Sequence, residues 1–101
     1  MARERRASKL AAVRRRIDRL DLRLLDLLNR RAAYALAIGR IKQRRQWPVF
    51  DAAREASVLR RVARVNTGPL SAPAVRRIFQ AILRECRRRE RTSKKKVPGT
   101  S

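Results

Sequence analysis

Apolar residues recur in alternating steps of three and four through the first half of the chain. They are Leu10, Val13, Ile17, Leu20, Leu24 and Leu27, then Tyr34, Ile38 and Ile41. Such steps keep one stripe of a helix apolar, as a heptad repeat does. Gly39 is the only Gly or Pro before Pro48, so the pattern predicts one uninterrupted helix from about residue 8 to about residue 45, roughly 57 Å at 1.5 Å per residue. A compact chain of this size has a radius of gyration of only about 13 Å. The remaining residues cannot cover a stripe that long, and the geometry predicts self-association. One seam position breaks the pattern: between Leu27 and Tyr34 the apolar residue is replaced by Arg31.

Trp47-Pro48-Val49-Phe50-Asp51 reads as a short extended connector, with Asp51 placed to cap a second helix. That helix runs to about Val65 and buries Val58, Leu59, Val62 and Val65. Asn66-Thr67-Gly68-Pro69-Leu70 is a turn. Ser71 caps a third helix that tolerates Pro73 in its first turn. Its stripe is Val75, Ile78, Phe79, Ile82, Leu83 and Cys86, and it ends near residue 90. No strand-like alternation and no internal repeat competes with this reading. The expected fold is all-α, three helices per chain with a very long first one. Residues 1–9 form a basic N-terminal segment, 10–90 the helical domain, and 91–101 a disordered basic tail.

Composition narrows the chemistry. The chain has 101 residues, one domain's worth, and carries 29 Lys and Arg against 8 Asp and Glu, no His and one Cys, Cys86. That removes a Ser-His-Asp triad, the common zinc ligand sets and an internal disulfide. No apolar run approaches the roughly 20 residues of a membrane span, and no apolar segment follows the basic N-terminus as in a secretory signal. A soluble, cytoplasmic protein is expected. The net charge of +21 fits a nucleic-acid binder. It fits equally an Arg-rich coding bias on solvated helix faces, since 24 of the 29 bases are Arg. Seven bases lie in residues 1–16 and seven in 87–96, so nearly half crowd the two ends. The four aromatics, Tyr34, Trp47, Phe50 and Phe79, are too scattered for a base-stacking platform.

Charges on apolar stripes are more informative, because an unpaired buried charge costs several kcal/mol. Lys42 lies 11 residues beyond Arg31 on nearly the same face, about 16 Å away, while Arg14 lies 17 residues before it, about 25 Å away. No small ligand reaches Arg14 and Arg31 of one rigid helix. It can reach both if two copies pack antiparallel, crossing near residue 24, which creates two equivalent sites of three cations each. The alternative is that Arg31 snorkels or pairs with Asp26 or Glu55. Asp51, Arg54 and Glu55 crowd one edge of the second helix at i, i+3 and i+4, an arrangement that also occurs as solvated surface pairs. Glu90 continues the stripe of Phe79, Leu83 and Cys86, or else marks a frayed helix end among Arg87, Arg88, Arg89 and Arg91.

Taken together, one register is distinctive: Arg14-x-x-Ile17-Asp18-x-Leu20-Asp21, Leu24-Leu25-x-Leu27-Leu28-x-Arg30-Arg31, Ile38-Gly39-x-x-Lys42, Pro48-Val49-x-Asp51-x-x-Arg54-Glu55, Gly68-Pro69-Leu70 and Ile78-Phe79. It resembles the all-helical chorismate mutases over roughly residues 10–90. The resemblance implies an intertwined helical homodimer whose long first helices span both active sites. It implies rearrangement of chorismate to prephenate in Phe and Tyr biosynthesis, a unimolecular reaction that uses no nucleophile, metal or cofactor. Arg31 and Arg54 would hold the two carboxylates, with Arg14 supplied by the other protomer. Lys42 would contact a carboxylate and the ether oxygen. Glu55, with the backbone near Asp51, would bind the ring hydroxyl.

In the same resemblance Lys42, Glu90 and Arg14 are the catalytic residues, and Cys86 joins the substrate-binding set. Two positions depart from the commoner bacterial pattern: Cys86 stands where Ser is frequent, and Glu90 where a Gln donates a hydrogen bond to the ether oxygen. Some family members, notably fungal ones, carry Glu there. A Glu donates only when protonated, so activity is expected to fall as pH rises and Glu90→Gln to flatten the profile.

Two other readings compete. One is an isochorismate pyruvate lyase of siderophore or salicylate synthesis, a function found on the same fold; Pro48-Val49-x-Asp51-x-x-Arg54-Glu55 looks more like the mutase loop. The other is a basic helical nucleic-acid-binding protein, which predicts steeply salt-dependent duplex binding indifferent to Arg31→Ala. The expected partners are chorismate and a second copy of the chain, with neither membrane nor nucleic acid, and a stand-alone mutase would depend on a separate partner for feedback control.

Overall fold

In the computed structural model, which describes residues 1–95, the chain forms three helices: α1 (Ala2–Arg45), α2 (Ala52–Val65) and α3 (Ala72–Lys95). No strand occurs among the described residues. The three-helix, all-α expectation holds, with two differences at the ends. α1 starts six residues before the expected position, and α3 continues through Lys95 rather than ending near residue 90. Both extensions consist largely of Ala, Arg, Glu and Lys without Gly or Pro, residues that lose little on entering a helix. Arg91–Lys95 is therefore helical where a disordered tail was expected, and residues 96–101 lie outside the described residues. No described helix is long and apolar enough to cross a membrane.

Met1–Arg30 and the chain from Arg31 onward form separate compact units. In the first, the seam residues Leu10, Val13, Ile17, Leu20, Leu24 and Leu27 are all between 49% and 59% exposed. Asp26 pairs with Arg30 one turn on, at 3.0 Å and open to solvent, a contact stabilising by about 0.3–0.5 kcal/mol.

In the second unit α2 packs on α3. The core is small: Ala35, Val58, Val75, Leu83 and Cys86 are buried, together with Gly39 one turn beyond Ala35. Leu59 and Val62 are half-buried, whereas Val65 and Ile78, expected inside, are exposed. Val65 is the last residue of α2 and 62% exposed.

The connectors follow local chemistry. At the start of α2 the Asp51 carboxylate accepts from the Arg54 amide at 3.0 Å, with Asp51 in extended backbone, a cap that stabilises by about 1 kcal/mol. Ser71 does the same for α3, accepting from the Ala74 amide at 3.2 Å. Asn66 closes the intervening turn by accepting from the Gly68 amide and donating to the Leu70 carbonyl. α1 ends in a Schellman arrangement: the Trp47 amide donates to the Lys42 carbonyl at 2.8 Å and the Gln46 amide to that of Gln43 at 3.2 Å. Gln46 holds the left-handed position, with φ of 56°, where Gly is the usual residue.

Candidate active site

Within the unit that begins at Arg31, three helices and a connector surround a pocket of about 370 Å³. α1 contributes Arg31, Tyr34, Ala35, Ile38 and Lys42, a spacing that puts them along one helical face. The connector adds Val49 and Asp51, α2 adds Arg54 and Glu55, and α3 adds Leu83, Cys86, Arg87 and Glu90. Seven of the eight sequence-assigned residues, Arg31, Lys42, Asp51, Arg54, Glu55, Cys86 and Glu90, thus line one concavity. Arg14 is not among the lining residues; it is an exposed position of α1 in the Met1–Arg30 unit.

Lys42 is the best-held of these side chains. Its Nζ donates to the Val49 carbonyl at 2.6 Å and to Glu90 Oε2 at 2.9 Å. Lys42 and Glu90 are each only 15% exposed, so the ion pair spans α1 and α3 in a largely desolvated setting. An ammonium has three protons to give. Two are committed among the described residues, and the third remains for a ligand. Oε2 of Glu90 accepts from Lys42, which leaves Oε1 for another partner.

The second charged contact is one the sequence reading missed. Arg87 Nη1 donates to Glu55 Oε2, and the Arg87 guanidinium lies over the Phe50 ring, 5.1 Å from its centroid. Arg87 stands in a run of three arginines after Cys86, and stripe periodicity alone did not single out the one that turns inward.

These pairings also decide the alternative partners of Arg31. Asp26 is engaged by Arg30 and Glu55 by Arg87. Among the described residues Arg31 and Arg54 make no side-chain ion pair, although both line the pocket. Asp51 is explained first as the cap of α2. Cys86 is a buried free thiol, packed as a small apolar group beside Leu83 and Ala35 on the pocket wall. No cluster of three metal-ligating side chains occurs among the described residues.

The arrangement suits a small anion with an apolar body. Ala35, Ile38, Val49 and Leu83 form a greasy wall. Arg31 and Arg54 present guanidinium groups that match carboxylates in a bidentate way. Opposite unit charges about 4 Å apart attract by roughly 4 kcal/mol at an effective dielectric of about 20, so two unpaired cations strongly favour a dicarboxylate over a neutral ligand.

Comparison with known proteins agrees with this chemistry. The family profile "Chorismate mutase type II" matches residues 13–91. A bifunctional chorismate mutase/prephenate dehydratase of Stutzerimonas stutzeri is 40% identical over 86 residues, covering 79% of this chain and 23% of that protein. Its counterpart in Neisseria gonorrhoeae is 42% identical over 73 residues, 72% of this chain and 20% of that one. The Aquifex aeolicus protein of the same description is 33% identical over 82 residues, 77% and 23%. The chain spans between a fifth and a quarter of the length of these relatives. With the profile covering more than half of its residues, the chain belongs to the chorismate mutase type II family.

Proposed function

We propose that the pocket binds chorismate and rearranges it to prephenate, feeding Phe and Tyr biosynthesis. The observation that carries this is the convergence of Arg31, Lys42 and Arg54 on one pocket with Glu55 and Glu90. The substrate is a flexible dianion whose reactive conformer is compact. Rearrangement breaks an ether C–O bond as a C–C bond forms, and negative charge builds on the ether oxygen. Catalysis then consists of clamping that conformer and stabilising that charge.

Each residue has a part the chemistry requires. Arg31 and Arg54 hold the two carboxylates. The uncommitted N–H of Lys42 donates a hydrogen bond shared between the ether oxygen and an adjacent carboxylate oxygen, while Val49 and Glu90 fix the ammonium in place. Oε1 of Glu90, when protonated, donates to the same ether oxygen from the opposite helix. Glu55 accepts from the ring hydroxyl, with the backbone near Asp51 beside it. Cys86 contributes wall rather than charge.

The site is completed by a second copy of the chain, packed antiparallel along the α1 seam and bringing its Arg14 to the substrate. What supports this is the half-exposed state of six seam residues in one chain, an apolar surface that water disfavours.

The direct test is the loss of chorismate absorbance with wild type and Lys42→Ala measured side by side, and isochorismate as a second substrate. Wild type should turn over chorismate and not release pyruvate from isochorismate. Lys42→Ala should lower kcat/KM by about 10²–10³-fold or more, the range seen when one preorganised donor to a developing oxyanion is removed. Wild-type rates indistinguishable from those of the variant would overturn the assignment.

A further inference from the structure

Arg87 has no part in the assignment above, yet it is tied to the pocket twice. Its Nη1 donates to Glu55 Oε2, and its guanidinium is stacked on Phe50. Arg87 and Glu55 are 22% and 23% exposed, so the pair is mostly withdrawn from water. The other charged side chains on the pocket are committed elsewhere or unpaired: Glu90 holds Lys42, Asp51 caps α2, and Arg31 and Arg54 face the pocket without an ion pair among the described residues.

The function proposed for the pocket, on which this inference rests, sets Glu55 a contradictory task. Its carboxylate must accept a hydrogen bond from the ring hydroxyl, and an ionised acceptor is best for that. The same negative charge repels a dianion in a site where screening is weak. A cation on one carboxylate oxygen resolves the conflict: it offsets the charge, leaves the other oxygen free for the hydroxyl, and fixes the carboxylate plane. Arg does this better than Lys, because the planar guanidinium can stack on Phe50 while donating edge-on to Glu55.

We propose that Arg87 is a positioning residue that neutralises and orients Glu55, so that the Arg87–Glu55 pair, stacked on Phe50, reads the hydroxyl of a dianionic substrate. Arg87 touches Glu55 and Phe50, and its effect on turnover passes through Glu55.

A double-mutant cycle tests this, using Arg87→Met, Arg87→Lys, Glu55→Gln and Glu55→Gln with Arg87→Met, each assayed with chorismate. Arg87→Met leaves an uncompensated carboxylate facing the substrate, and KM should rise about tenfold with kcat changed less than about threefold. Arg87→Lys should fall between wild type and Arg87→Met. In the Glu55→Gln background there is no charge to offset, so adding Arg87→Met should change KM by less than about twofold. Thermal melting of all five proteins separates this from packing, since a role in stability alone moves the midpoint and leaves KM in place. Equal KM effects of Arg87→Met in both backgrounds, or an unchanged KM with only the melting point shifted, overturn the proposal while leaving the mutase assignment intact. Absence of chorismate turnover in wild type overturns both.

Discussion

The two units of this chain invert each other's use of polarity. In Met1–Arg30, large apolar side chains stand about half open to solvent, and none of them is buried. In the unit from Arg31 on, Lys42 and Glu90 are 85% withdrawn from water, while among the described residues no large apolar side chain is fully buried. A single seam pattern runs through both, so periodicity along a helix does not by itself say whether a stripe meets this chain or another. The second unit has what it needs to hold its charges, since partners for Lys42, Glu55 and Glu90 all come from its own helices. Among the described residues the first has no such partner for its leucines, and that asymmetry is where the proposed dimer is most exposed to test.

The largest expected effect breaks the comparison at the seam. Leu20 and Leu24 are 59% and 54% exposed, so replacing both with Asp costs the isolated helix little packing. In a two-fold dimer the same change alters four side chains, each stabilising by about 1.5–3 kcal/mol when buried. With a little over half of each side chain left to bury, the loss is about 3–7 kcal/mol, or about 10²–10⁵-fold in dissociation constant. Sedimentation equilibrium should show wild type as a dimer and the double variant as a monomer; equal masses would remove the seam from the argument. Mixing sharpens it. Arg14→Ala and Lys42→Ala should each be inactive, yet co-refolded together they should recover about a quarter of wild-type turnover, because half the dimers are mixed and each mixed dimer has one intact site. No recovery from two inactive variants would mean that Arg14 acts within its own chain.

The same contrast explains what was legible in the sequence. The order of the three helices, the Asp51 and Ser71 caps and the Asn66 turn rest on local rules, and the structure has all of them. Arg31, Lys42 and Glu90 were visible because a charge on an apolar stripe violates a pattern. Arg87 violated none, one residue past Cys86 in an arginine run. Its role depends on where Glu55 and Phe50 sit in space, which spacing along one helix does not encode. The early start of α1 was hidden for a related reason: a solvated helix of Arg, Glu and Ala carries no apolar stripe to announce it.

A smaller effect tests the sequestered side of the comparison. Glu90 accepts from Lys42 through Oε2, and an amide in its place supplies both that acceptor and an N–H donor toward the ether oxygen. Facing it are Lys42 on α1 and, on the same pocket, Arg87 and Glu55. Glu90→Gln should therefore keep kcat/KM within about tenfold of wild type, less than one general-acid contribution. A loss of about 10²-fold or more would show that Glu90 serves through its charge on Lys42.

The smallest effect concerns how the chain leaves α1 to set Val49 against Lys42. Gln46 sits at φ of 56°, a region that costs a side-chain-bearing residue about 1–2 kcal/mol. Glycine relieves that cost but gives back part of it by loosening the unfolded chain, by roughly 0.5–1 kcal/mol. Gln46→Gly should therefore stabilise by about 0.5–1 kcal/mol. At fixed protomer concentration the melting midpoint should rise by about 2–8 °C for a chain of this size. The Trp47 and Gln46 amides keep their carbonyl partners on Lys42 and Gln43, so kcat and KM should stay at wild-type values. A stabilised protein with altered KM would mean that strain at the end of α1 is transmitted through the Val49 carbonyl to the Lys42 ammonium, and that the charged pocket is less self-contained than its own ion pairs make it.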